Sequence, residues 1–190
     1  MDYSEVEATA LALGAAADQV PFAMAIALNR AADVTRNFLA KATWPQHVNA
    51  RNGSFIMASL TTKESRASKQ SLAVEIYDKL DRGNLLKQAM GGTRAPMGGS
   101  NLAVPASTIS RTQSGVPARF RPKNMPTAVR KGDVLYSRDR KGRLTLLYVL
   151  KPKTNIPKRV PFHDDFATSM LRELARTMPL AIERAMRTRR

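Results

Sequence analysis

Apolar residues return at helical spacing near both ends of the chain and at alternate positions in between. Residues 4–42 read as helix in two pieces. Ser4 followed three positions later by Glu7 is a capping-box pattern that starts the first piece near Glu5, and Gly14 weakens it. Asp18 and Pro21 mark a second start, because proline is at home in a first helical turn. From there Met24, Leu28, Ala31, Thr35, Phe38, Leu39 and Ala42 form one stripe, with Asn29, Arg30, Asp33, Arg36, Asn37 and Lys41 largely off it. The alanines favour the helix and let another backbone come close. Met24, Leu28, Ala31 and Phe38 are therefore candidates for packing between subunits. Trp44-Pro45 is expected to end the helix, since the residue before proline avoids helical backbone angles.

The middle of the chain reads as strands. Phe55–Thr62 and Ser71–Tyr77 are expected strands joined by a long charged turn, and Asn84–Met90 a short helix stopped by Gly91-Gly92. Val134–Asp139 and Leu144–Leu150 flank Arg140-Lys141-Gly142-Arg143, a hairpin with glycine where a positive φ is needed. Both faces of its second arm are apolar, so cover on both sides is expected. A second amphipathic helix spans about Asp164 to Arg187, with Phe166, Met170, Leu171, Leu174, Met178, Ile182 and Ala185 as its stripe. Pro179 is expected to kink or restart it.

The expected fold is a single α+β domain over 1–190, its long N-terminal and C-terminal helices packed on an antiparallel sheet. Residues 91–133 stand apart. The stretch is rich in glycine, proline and basic side chains, and such a composition does not build a core of its own. An extended arm that orders against neighbouring subunits is expected there, with a floppy insertion as the other reading.

A formal charge of +16 on 190 residues sharpens the picture. It calls for an anionic partner or for acidic neighbours in an assembly, and nucleic acid is the usual one. The absence of cysteine removes disulfides, thiol nucleophiles and thiolate metal sites. Acidic Asp2, Glu5 and Glu7 stand where a signal peptide would be basic, and no apolar run is long enough to span a bilayer, so no membrane partner is expected.

No reacting constellation is legible. His163-Asp164-Asp165 could be drawn as a metal cluster, but adjacent helical positions point apart, and acids that cap a helix are the better reading. His47 is alone. Gly91-Gly92 and Gly98-Gly99 lack the following Lys-Ser/Thr of a phosphate loop. No catalytic, cofactor-binding or metal residue is expected, and no enzyme activity. Aromatic residues are too few for a stacking platform, and no single helix gathers the basic side chains, so sequence-specific reading of DNA is not expected. The candidates to face DNA or an acidic partner are Arg184, Arg187, Arg189 and Arg190 at the terminus, with Arg119, Arg121 and Lys123 in the arm.

One stretch carries more than composition. Pro21, Met24-Ala25, Ala27-Leu28-Asn29-Arg30 and Ala31 resemble the opening of phage minor tail protein Z and related tail-completion (neck) proteins. The order continues with Ser71–Tyr77 before Gly91-Gly92-Thr93-Arg94. It resumes with Leu147–Lys151, Lys158-Arg159, Pro161-Phe162 and a last helix holding Pro179 and Ala185-Met186-Arg187-Thr188-Arg189. Gly99–Gly132 departs most. The resemblance implies a virion structural protein, made in the host cytoplasm and placed in the tail or neck. It also implies a ring of six copies that meets tail terminator, tail tube or head-tail connector proteins, with nonspecific contact to packaged DNA. The alternative class is a nonspecific basic nucleic-acid-binding protein.

Overall fold

The computed structural model describes residues 3–187 except 51, 82–84 and 97, with side chains from Gln19 onward. Helix and antiparallel sheet are both present, in two compact units.

The first unit is built on two long helices, α1 (Tyr3–Phe38) and α5 (Phe162–Arg187). α1 passes through Pro21 without a break. An interior proline removes one backbone donor, and the alanines on both sides supply the helix propensity that carries the chain across. Beyond Phe38 the helix widens into a π turn (Leu39–Thr43), closed by the Trp44 N–H on the Leu39 carbonyl. It then adds one further turn, α2 (Trp44–His47), before Val48 turns extended. A wide turn directly upstream of Pro45 is where the ring needs room, so the helix outlasts the expected stop at Trp44-Pro45.

α1 and α5 run antiparallel and meet through small residues. Ala31 and Ala32 are wholly buried against Met170, with Leu28, Val74, Phe166 and Leu174 around them. The Thr35 and Ser169 hydroxyls share a buried hydrogen bond of 2.9 Å, and Trp44 stacks on Phe162 at 5.9 Å between ring centres. Ser169, Met170, Glu173, Thr177 and Ala185 are the buried line of α5, whereas Leu171, expected on that line, is 68% exposed. α5 runs on through Pro179 as one helix. The apolar stripe of each helix is thus met by the other helix, where a sheet was expected to receive both.

The segment Ser54–Leu85 completes this unit. Its expected strand Phe55–Thr62 is mostly the short helix α3 (Phe55–Ser59), followed by β1 (Leu60–Thr61). An unbroken apolar run lacks the alternation that identifies a strand. Ser71–Tyr77 becomes strand only at its end, in β2 (Tyr77–Asp78), which lies antiparallel to β1.

The second unit contains Leu86–Arg159. α4 (Leu85–Met90) leads into it and ends as expected at Gly91, whose φ of +79° lets its N–H reach the Lys87 carbonyl at 2.8 Å. β3 (Gly92–Arg94) then pairs with β8 (Thr154–Ile156). The four-stranded sheet has the order β4 (Leu102–Pro105), β7 (Leu144–Lys151), β6 (Val134–Arg138), β5 (Val129–Lys131), all antiparallel. The β6–β7 hairpin is the one expected, with Gly142 at φ +81° in its turn.

Residues 91–133 do not form an arm along their length. They supply β3, β4 and β5, and two 3-10 turns at Ala118–Phe120 and Pro122–Asn124. Ile109, Val116, Phe120, Met125 and Ala128 from this stretch close over Leu147, Tyr148 and Leu135 of the sheet. A few spaced apolar anchors suffice because the sheet provides the other half of the core.

Candidate functional site

The resembling stretch of α1 does identifiable work. Asn29, Asp33 and Arg36 stand four and three residues apart, so one helix face presents all three. The Asn29 side-chain amide donates to the Ala67 carbonyl and its oxygen accepts the Ala67 N–H, both at 2.9 Å. Asp33 accepts from Arg66 at 2.8 and 3.0 Å and from the Thr62 hydroxyl at 3.3 Å. Arg36 donates to the carbonyls of Met57 at 2.6 Å and Leu60 at 2.5 Å, satisfying the open C-terminal end of α3. The three side chains clamp 57–67 along α1, Asn29 and Arg36 through its backbone and Asp33 through the side chains of Thr62 and Arg66. Spacing placed them off the apolar stripe; nothing local announced a partner 21 to 38 residues away. The signal was an asparagine, donor and acceptor in one plane, in an alanine helix.

The packing candidates divide. Ala31 is wholly enclosed by its own chain and is not a surface for another subunit. Leu28 packs on the same internal cluster. Met24 and Phe38 stay half-buried, Phe38 beneath the Arg172 guanidinium at 5.8 Å.

The charged candidates fall in different units. Arg184 and Arg187 are exposed on α5, and Arg187 bonds Glu183 at 2.5 Å. Arg189 and Arg190 lie outside the described residues. Arg119 and Lys123 lie on the two 3-10 turns of the second unit, with Arg121 at the junction between them. Arg119 lies over the Phe120 ring at 4.7 Å, and Arg121 donates to the Val116 carbonyl at 3.3 Å. The Phe120 carbonyl accepts the hydroxyl of Tyr148, a side chain only 2% exposed. Burial raises the Tyr148 phenol above its ordinary range, so it stays a donor.

Titratable groups elsewhere have structural tasks. His47 shares a 2.9 Å hydrogen bond with the Thr43 carbonyl, and Thr43 donates to Asp165 at 2.5 Å. Asp139 accepts the Nε–H of Arg143 at 2.8 Å and the backbone N–H groups of Lys141 and Arg143. Those bonds hold its carboxyl below the usual range. Among the described residues no cluster of three or more His, Asp or Glu is placed to hold a metal ion, and no helix is long and apolar enough to cross a membrane.

No family model, curated protein or solved structure matches the chain.

Charge is the strongest remaining signal, and it is segregated. Leu86–Arg159 carries sixteen Lys or Arg and two Asp or Glu; the rest of the chain carries fifteen and thirteen. Two carboxylates cannot neutralise sixteen cations, so this unit has an uncompensated positive field.

Proposed function

We propose that the chain is a structural subunit of a tailed phage, part of a tail-completion or neck ring that joins tail or connector components around the passage for DNA. The ring has six copies, sits in the virion and is made in the host cytoplasm. The ordered set of motifs from Pro21 to Arg189 carries this reading. Its support in three dimensions is that the motif residues are structural: Asn29 fastens a loop and Ala31 seats one helix on another. The function is mechanical, without catalysis or cofactor. Within 91–133, the exposed stretches 98–100 and 110–114 are free to reach a neighbour. The positive unit faces DNA or the acidic surfaces of tail terminator, tube or connector proteins.

Cryo-electron microscopy of virions from a host strain expressing the tagged chain tests the reading. Density for the tag at the neck or tail end, and unjoined heads and tails when the gene is deleted, are the expected results. Normal particles after deletion would overturn it.

The charge segregation favours a second reading, a nonspecific nucleic-acid-binding protein. It predicts duplex binding by the free monomer and no place in the particle.

A further inference from the structure

The four-stranded sheet has two unlike faces, and an irregularity in β7 sets them. Leu135 pairs with Tyr148 but Tyr136 pairs with Leu146, which leaves Leu147 as an extra residue on β7. Such a bulge re-aims side chains, and Leu147 and Tyr148 join one buried cluster although they are neighbours on a strand. Cross-strand partners share a face. Pro105 and Leu135 flank Tyr148 on the side that Val116, Phe120 and Met125 cover. On the other side Val104 and Val134 flank Val149, and Tyr136 lies between Val129 and Leu146. That second face is open: Val104, Leu144 and Leu146 are 40%, 36% and 38% exposed.

The open face has a charge pattern as well as an apolar middle. Exposed Lys131 and Lys151 stand on it at one end, paired with Val134 and Leu102, and exposed Arg138 at the other, paired with Leu144. No Asp or Glu lies on these four strands. Leu86–Arg159 has two carboxylates, Asp133 and Asp139, both in turns, and Asp139 is already held by Arg143. The size of the face is also defined. The five residues of β6 run ~17 Å, and four strands are ~14 Å across. One α-helix of about 11 residues, ~17 Å long and ~10 Å wide, covers such an area.

We propose that this face is the docking site for an acidic amphipathic helix of a partner protein. Its apolar stripe lies on Val104, Tyr136, Leu146 and Val149, and its carboxylates face Lys131, Lys151 and Arg138. Charge complementarity selects this occupant. A second copy presenting the same face would set two cationic rims against each other, and Leu180, exposed on α5, lies one turn from both Arg176 and Arg184. A nucleic-acid backbone would meet cations only at the ends and lay charged oxygens over the aliphatic middle, where Tyr136 alone is no stacking platform for bases. An acidic helix answers both the middle and the rim. The inference gives the positive unit's protein partner a chemical class and rests on the proposed function for where that partner is found, though the contact can be tested in purified protein.

The probe is a fluorescein-labelled synthetic helix with leucine along one stripe and glutamate beside it. Two controls accompany it: the same residues scrambled to lose the stripe, and lysine in place of glutamate. Each is titrated into full-length protein and followed by fluorescence anisotropy, with circular dichroism to check that variants fold. Wild type is expected to bind the striped acidic helix about ten-fold tighter than either control, less tightly as salt rises. L146R and K131E/K151E are each expected to weaken it about ten-fold, and K131E/K151E to prefer the lysine peptide. L171R, at an exposed leucine of α5, is expected to bind as wild type does. In methyl NMR spectra, Val104, Val134, Leu146 and Val149 should shift with the peptide. Equal binding of the scrambled peptide, or unchanged binding by L146R, would overturn the proposal. So would wild type that self-associates through this face, or duplex DNA that shifts the same methyls and displaces the peptide. Failure of the peptide to bind a protein that is seen in virion rings would remove this docking face and leave the functional reading standing. Stripe-dependent binding by a protein absent from virions would do the reverse.

Discussion

Asn29 illustrates how one side chain holds a distant loop. Its amide answers both the N–H and the C=O of Ala67, as a paired strand would, so Asn29→Ala leaves two part-buried backbone groups without partners. A loss of about 1–3 kcal/mol is expected in urea unfolding, with faster hydrogen exchange at the Ala67 amide. A variant with wild-type stability and unchanged Ala67 exchange would show that the clamp contributes nothing. Tyr148 makes a comparable long link, to Phe120, and Tyr148→Phe is expected to cost about 1 kcal/mol while leaving the apolar packing in place. Asp139 adds a pH dependence. Its folded carboxyl titrates below the unfolded value, near 3.9, so its contribution is full above that value and lost as pH falls through the folded one. Followed by NMR, the amides of Lys141 and Arg143 should shift together in that acid window, and Asp139→Asn should abolish the shared transition.

At the scale of elements, the helix pair rests on complementary small residues and a few polar links. The Thr35–Ser169 bond is buried, so the two hydroxyls are coupled. Thr35→Val and Ser169→Ala are each expected to destabilise by about 1–3 kcal/mol by orphaning the other hydroxyl, while the double variant costs less than their sum. A double-mutant cycle in urea measures the coupling, and strict additivity would mean the bond carries none. The elements most legible in the sequence were those with a strong period: α1, α5 and the β6–β7 hairpin. Each has a one-sided or alternating pattern long enough to outweigh single breakers such as Pro21 and Pro179. The stretch 55–62 reads as a strand because a short apolar run fits helix and strand equally, whereas 57–67 is held from outside by Asn29, Asp33 and Arg36. The stretch 91–133 was misread for a related reason. Its anchors, Ile109, Val116, Phe120, Met125 and Ala128, follow no period, since they are spaced to meet a finished sheet. The exposed face of that sheet was hidden too, because the alternation along 144–150 is interrupted at Leu147 by a bulge that only pairing reveals.

Across the whole molecule, net charge is a property of one unit, a fact the total of +16 conceals. Fourteen of those charges belong to Leu86–Arg159, and the helical unit is close to balanced, so the two units should answer differently to a polyanion. Duplex DNA of arbitrary sequence is a suitable probe, since phosphate contacts release counterions and make log affinity fall linearly with log salt. Arg119, Arg121 and Lys123 lie along one ordered pair of turns in the positive unit, and Arg187 sits beside Glu183 in the balanced one. If all three turn residues contact phosphate, replacing them with glutamine should lower the salt slope by about 2.7, at ~0.9 per contact. Arg187→Gln should change it by less than one contact, because that guanidinium already has a carboxylate partner. Fluorescence anisotropy between about 50 and 200 mM salt reads both slopes. An unchanged slope in the triple variant with a large drop for Arg187 would place the polyanion surface on the terminal helix, and the charge imbalance between the units would then need another explanation.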